Sequence, residues 1–251
     1  MNAKLRTKII ADCKQLLEAY RSGKLGYAVM PEDSSPDFSK EEKETRLIYF
    51  TLPMSLNYQR DSYKLWESAF KTFEDPETRV VFDIRSSANL GVEKLREYLS
   101  RYKIALQPNK HIATWHLITK TISENWGTME NLFKSVDHDF LKLKDVVQGQ
   151  FKPGFPYLSG PKIFNYWSFI IGKYGDIKLK NSEFIEIAPD THITKCSVIL
   201  GVISEKEATS FTKEKISERW RELLSDSGIN PIDMHPPLWF WSRNNFQYKL
   251  K

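Results

Sequence analysis

Apolar residues recur at helical spacing along almost the whole chain, and this period constrains the fold more than any other feature. Over 4–22, Ile9, Ile10, Cys13, Leu16, Leu17 and Tyr20 fall on one helical face, and Gly23 and Gly26 end the run. The pattern returns over 42–52 and 60–73, broken near Pro53. It returns again over 91–102 with Val92, Leu95, Tyr98 and Leu99, and over 109–125 with Ile112, Trp115, His116 and Ile122. Residues 131–147, 162–174, 191–203 and 213–225 complete the predicted helices, 162–174 being the most apolar. Residues 30–40, with Pro31, Asp33, Ser34, Ser35 and Pro36, read as a polar loop. Only 79–84 reads as a strand, and no internal repeat or low-complexity segment appears. An all-α fold is expected.

At 251 residues the chain is one large domain or two small lobes, long enough for a core. Two cysteines, Cys13 and Cys196, exclude a disulfide framework or a four-cysteine metal site and point to a reducing compartment. His111, His116 and His138 have no metal-ligand company, and a spacing of five between the first two is poor for one helix face. No apolar run approaches the roughly 18 residues of a membrane span. Lys4, Arg6 and Lys8 precede no apolar signal segment, so an intracellular protein (cytoplasm or nucleoid) is expected. A net charge of +5 and a pI near 9.0 suit a polyanionic partner. Seven Trp, eleven Tyr and fifteen Phe supply the core and leave rings that can stack on bases.

Two strings carry chemistry. In Tyr157-Leu158-Ser159-Gly160-Pro161-Lys162 a lysine follows a tight glycine turn and opens a helix. In Ala188-Pro189-Asp190-Thr191-His192 an aspartate 28 residues after Lys162 opens another apolar run. A nucleophilic amine and a carboxylate at helix mouths suit attack on a glycosidic carbon: the amine can form a Schiff base, and the carboxylate can stabilise developing positive charge. Burial of Lys162 under Phe164, Tyr166 and Trp167, together with the positive end of a helix, would favour the uncharged nucleophile. Asp190 is also well placed as an N-cap, a role compatible with catalysis because capping holds a carboxylate rigidly.

Further strings keep a fixed order around these two: Met54-Ser55-Leu56-Asn57, Tyr98 to Tyr102 followed by Asn109-Lys110-His111-Ile112, and near the end Pro231-Ile232-Asp233-Met234-His235 with Leu238 to Arg243. Together, over roughly 43–243, they resemble the helix-hairpin-helix DNA glycosylase superfamily, in its lyase branch (endonuclease III and 8-oxoguanine DNA glycosylase types). The long interval from Lys162 to Asp190 and the atypical hairpin are closest to a cluster-free archaeal 8-oxoguanine branch. Leu158 stands where the family hairpin has its first glycine. A bulky residue at a left-handed position is strained there, which argues against the carbonyl-bound monovalent cation of typical members. The C-terminal four-cysteine iron–sulfur loop is absent, so no cofactor is expected.

The resemblance implies a two-lobed, all-α glycosylase fold with the active cleft between lobes, one lobe spanning 75–187 with the hairpin and the other 1–74 plus 188–251. It implies a monomeric base-excision-repair enzyme acting on double-stranded DNA that contains a damaged base or an abasic site. Lys162 and Asp190 would be catalytic, removing the base, with 8-oxoguanine first, and nicking the strand by β-elimination. Asn57 or Gln59 would wedge into the duplex; either is equally a helix cap or a surface amide. Asn109, Lys110, Ser159, Gly160 and His192 would touch DNA. Trp239 and Trp241 would line a base pocket, or else dock the C-terminal segment into the core. Alternatives are an oxidised-pyrimidine or mismatch glycosylase, and a DNA-binding module without catalysis.

Overall fold

The computed structural model describes residues 2–26 and 29–251, and the protein is all-α: among these residues there are thirteen α-helices and no strand. In chain order they are α1 (Ala3–Arg21), α2 (Lys43–Ser55), α3 (Ser62–Glu74), α4 (Ile84–Asn89), α5 (Val92–Arg101), α6 (Pro108–Asn125), α7 (Met129–Ser135), α8 (Phe140–Lys144), α9 (Pro161–Tyr174), α10 (Thr191–Ile199), α11 (Glu205–Ser210), α12 (Lys213–Leu224) and α13 (His235–Arg243). No helix among the described residues is long and apolar enough to cross a membrane.

Side-chain caps begin many of them. Asn2, Asp61, Asp83, Thr128, Asp139, Asp190 and Thr212 each accept a backbone N–H in the first turn, and Ser204 with Glu207 forms a full capping box.

The chain divides into two compact units. A terminal unit joins Met1–Met30 to Glu183–Lys251, and a central unit holds Pro31–Ser182. The resemblance placed 31–74 in the terminal lobe, but these residues pack with the hairpin-bearing segment. α2 packs on α9, where the indole N–H of Trp167 donates to the Thr51 hydroxyl at 3.0 Å. Phe50 stacks on Tyr174 at 5.3 Å. Around them Phe38, Tyr49, Phe73 and Phe82 form one aromatic cluster, with Trp66 against Tyr49 and Phe50. In the terminal unit α13 packs against α10 and α1. There Cys196 donates its S–H to the Leu238 carbonyl at 3.1 Å, and Trp220 donates to Ser197 at 2.8 Å.

Two predicted elements are corrected. Residues 79–84 form no strand but a 3-10 turn, Arg79–Phe82, leading into α4. The Val81 carbonyl accepts from the Trp115 indole at 3.1 Å rather than from a neighbouring strand, and both Val81 and Phe82 are buried. Residues 131–147 form no single helix. Asp137 and His138 adopt left-handed φ values of 55° and 53°, separating α7 from α8, and α8 continues as a π-helix, Asp145–Gln150. The helix predicted over 191–203 stops at Ile199, and α4, α11 and α13 are additional.

The start of α7 depends on a side chain 85 residues away in sequence. The Glu44 carboxylate on α2 accepts the N–H groups of Met129 and Glu130 at 2.7 and 2.8 Å. Hydrogen bonds to charged groups contribute about 1.5–3 kcal/mol each, so Glu44→Ala is expected to lower the unfolding free energy by about 2 kcal/mol or more, read from the urea midpoint at constant m-value.

Candidate functional site

In the central unit, α8 and its π-helical continuation, the turn at 151–160, and α9 make a helix, a hairpin and a second helix. The hairpin is closed from within. Gln148 on the π-helix donates to the Ser159 carbonyl at 2.9 Å. The Ser159 and Gly160 N–H groups, expected at a phosphate, donate instead to the Phe155 and Tyr157 carbonyls, both at 2.9 Å. The left-handed residue of the turn is Tyr157, with φ 61°, and not Leu158, which is fully buried as an anchor. Gly160 makes a close approach: a Cβ there would stand 3.1 Å from the Tyr157 carbonyl oxygen.

Gly160 gives α9 no side-chain cap, and Pro161 at the first position has no N–H to satisfy. The N–H groups of Lys162 and Ile163 therefore have no intrahelical acceptor, at the positive end of a helix of 14 residues. Lys162 itself is exposed. The expected burial beneath Phe164 and Trp167 does not occur, because residues two and five positions on point to other sides of a 3.6-residue helix. Phe164 and Trp167 fill the core, while Tyr166, one turn on from Lys162, shares its face and is half-buried.

The proposed wedge amides lie beside this hairpin. Asn57 is half-buried just beyond α2, and Gln59 is exposed with φ 49°. Between them Tyr58 brings its ring to 5.6 Å from that of Tyr157. Arg60 fastens the same loop to the next: its guanidinium donates to the Ile104 carbonyl at 2.6 Å and the Lys103 carbonyl at 3.1 Å. Asn109 and Lys110 lie exposed in the first turn of α6, where Asn109 accepts from Arg96 at 3.2 Å. His111 is buried; its Nδ1 accepts the Leu106 N–H at 3.1 Å, and burial holds its pKa below the ordinary histidine value.

In the terminal unit Asp190 caps α10. One carboxylate oxygen, Oδ1, accepts the Ile193 N–H at 2.8 Å, and the side chain is half-buried. His192 meets the Ser242 hydroxyl at 3.0 Å, and its ring lies edge-on to Trp239 at 5.8 Å. Burial lowers the His192 pKa, with Asp190 opposing and Arg243 and Lys195 assisting. The Arg243 guanidinium stands 4.8 Å from the centre of the Trp239 ring. Asp190, His192 and Trp239 are thus brought together. Trp241 is not part of that group. Its indole N–H donates to the Tyr248 carbonyl at 2.8 Å and its ring packs edge-on to Phe246 at 4.9 Å, so it docks the C-terminal segment and is corrected from the base-pocket assignment.

Glu32 was missed. It sits in a segment read as a polar loop, yet it is 1 % exposed. The Tyr166 hydroxyl donates to its Oε1 at 3.2 Å, and Oε2 has no hydrogen-bond partner. Nothing in the local sequence signals this, since Pro31-Glu32-Asp33 is ordinary loop composition.

Burial is the main cause that pushes the Glu32 carboxyl up from 4.5 to about 7. Below the unfolded value, folded and unfolded chains both hold the proton and there is no penalty. As pH rises through 4.5 towards 7 the unfolded chain ionises first, so stability is lost across that window and the penalty is constant above it. At 1.36 kcal/mol per pH unit of separation the full penalty is about 3 kcal/mol. Glu32→Gln, which keeps an acceptor for Tyr166, is therefore expected to stabilise the protein by up to about 3 kcal/mol at pH 8 and to have little effect at pH 4, measured by urea unfolding at both values. In comparisons with known proteins, no family model matches the chain and no curated protein matches it.

Proposed function

We propose that the protein is a bifunctional DNA glycosylase and abasic-site lyase of two-lobed helix-hairpin-helix architecture, acting on a damaged base in double-stranded DNA, 8-oxoguanine before others. The observation that carries this reading is the exposed Lys162 amine on the uncapped first turn of α9, directly after a hairpin closed by Gln148 and Gly160. An uncapped helix start attracts a phosphate, and the amine beside it is the group a Schiff-base lyase needs.

In this reading the Lys162 amine attacks the sugar C1′, the C1′–base bond breaks, and the base leaves with the bonding electron pair. The nitrogen then loses its proton as the C1′–O4′ bond breaks, so the sugar ring opens with O4′ as a hydroxyl and C1′ as an imine; the imine acidifies the C2′ proton, and its loss expels the 3′ phosphate by β-elimination. Asp190, its Oδ1 fixed by the Ile193 N–H, stabilises the positive charge that grows on the sugar as the base departs. His192 beside it offers a ring nitrogen to the DNA, whereas Trp239 is buried beneath the Arg243 guanidinium and backs the His192 ring, so the base-pocket assignment of Trp239 is not kept. The closed hairpin shifts the assigned phosphate donors from Ser159 and Gly160 to the N–H groups of Lys162 and Ile163.

The exposure of Lys162 favours one second reading, a DNA-binding module on the same scaffold without catalysis, because burial does not assist the amine. Borohydride reduction separates the two. Wild-type protein with abasic duplex is expected to yield a covalent adduct, and Lys162→Gln is expected to lose the adduct and nicking while retaining duplex affinity. A trapped Lys162→Gln protein would refute the assignment, and an untrapped wild type would leave the binding module.

Asp190→Asn keeps a capping oxygen for Ile193 but removes the charge. Excision is expected to slow by about 10²-fold or more, the order for losing one electrostatic stabiliser, in single-turnover assays on an 8-oxoguanine duplex with circular dichroism unchanged.

A further inference from the structure

The turn at Pro31–Ser34 is fastened to α9 at two points. The Tyr166 hydroxyl donates to Glu32 Oε1 at 3.2 Å. The Tyr174 hydroxyl, about two helical turns further on, donates to Asp33 Oδ1 at 2.6 Å. The two fastenings differ in kind. The one at Asp33 is exposed, so water can replace either partner at little cost. Glu32 is buried, and its Oε2 has no hydrogen-bond partner. A protonated carboxyl tolerates that place. A carboxylate does not, with one oxygen held by a single neutral hydroxyl and the other by nothing. An ionised Glu32 gains its missing hydrogen bonds only by reaching water, which requires the turn to lift from α9.

Little around Glu32 helps a charge to stay. On its own turn Asp33 opposes ionisation; on α9 Tyr166 donates its hydroxyl and Lys173 favours the charge. The turn also packs against α3, whose buried face, with Leu65, Trp66 and Ala69, is uncharged. Of the ionisable residues of α3, Lys64, Glu67, Lys71 and Glu74 are exposed and Tyr63 is half-buried. We propose that the 31–34 turn is a proton-operated strap, closed on α9 while Glu32 is protonated and lifted away from Tyr166 when that proton is lost. Tyr166 shares its face of α9 with Lys162, so opening bares the ring one turn from the amine. The strap needs no DNA and no reaction, and it stands apart from the glycosylase reading.

Burial holds the Glu32 proton up to about 7 while the strap is closed, and an open strap, with the carboxyl in water, holds it to the ordinary 4.5. Rising pH therefore favours the open form between these values, by up to about 300-fold in the opening equilibrium, and adds nothing above them. The test is hydrogen exchange of the full chain at pH 4 and pH 8, each in water and in dilute urea. Amides of 32–35 are expected to be protected at pH 4 alike in wild type and in Glu32→Gln. At pH 8 they are expected to exchange about 100-fold faster in wild type than in Glu32→Gln, and the comparison at one pH cancels the intrinsic rate. Asp33→Asn keeps an acceptor for Tyr174 and is expected to retain the pH dependence, whereas Tyr166→Phe is expected to open the strap at both pH values. A strap exposes little surface, so its exchange is expected to ignore urea while the α6 amides follow global unfolding. Equal exchange by wild type and Glu32→Gln at pH 8, an unprotected turn at pH 4, or a urea dependence equal to that of α6 overturns the strap. If Glu32→Gln does not fold, the rise in wild type from pH 4 to pH 8, corrected for the intrinsic rate, decides by the same urea criterion.

Discussion

The hydrogen bond from Trp167 to Thr51 sits where α2 and α9 meet, and the central unit is arranged around it. Both residues are fully buried, and the Thr51 hydroxyl is used twice, accepting from the indole and donating to the Leu47 carbonyl at 2.7 Å. A buried indole without an acceptor is destabilising, so the pair fixes the rotation of α9 against α2. Rotation decides which residues of α9 face the core. Phe164, Trp167, Ile170 and Ile171 go inward, each adding about 1.5–3 kcal/mol on burial, and Lys162 is turned out. The helix then ends against α2 at Gly175, where a Cβ would meet the Ile171 carbonyl oxygen at 2.7 Å and the Leu47 side chain at 3.0 Å.

The hairpin inherits its position from that packing. α9 starts where the chain leaves Gly160, and the π-helical register ahead of it carries Gln148 to the Ser159 carbonyl. A π-helical turn inserts a residue relative to an α-helix and so re-aims the chain beyond it. The turn then satisfies its own N–H groups through Phe155 and Tyr157, and the donors without an intrahelical acceptor lie in the first turn of α9. An anion approaching this surface meets a helix end and an amine.

The terminal unit positions its own group of side chains with different parts. α10 is fastened to α13 by the thiol of Cys196 and to α12 by the hydroxyl of Ser197, and both side chains are buried. Burial pushes the Cys196 thiol far up, so it acts as a small apolar group with one weak hydrogen bond. With α10 anchored on these two sides, its first residues project, and Asp190, His192 and Trp239 gather at that end.

The apolar period determined most of the secondary structure: the long helices α1, α2, α3, α5, α6, α9 and α12 lie where it places them, because a helix must bury one stripe whatever its partner, although α2 runs on through Pro53 to Ser55 where a break was expected. The starts of α9 and α10 were equally legible, since Gly160-Pro161 and Asp190 are local signals. Tertiary structure decided the rest. Val80, Val81 and Phe82 suit a strand locally, but the Trp115 indole captures the Val81 carbonyl and no partner strand exists among the described residues. Residues 31–74 joined the central unit, with α2 packed on α9, which starts more than 100 positions beyond the end of α2 in sequence. The exposure of Lys162, the docking of Trp241 and the burial of Glu32 depend on which neighbour covers each side chain. Composition and spacing carry no record of that, because covering a side chain is a property of two surfaces and a local sequence specifies only one.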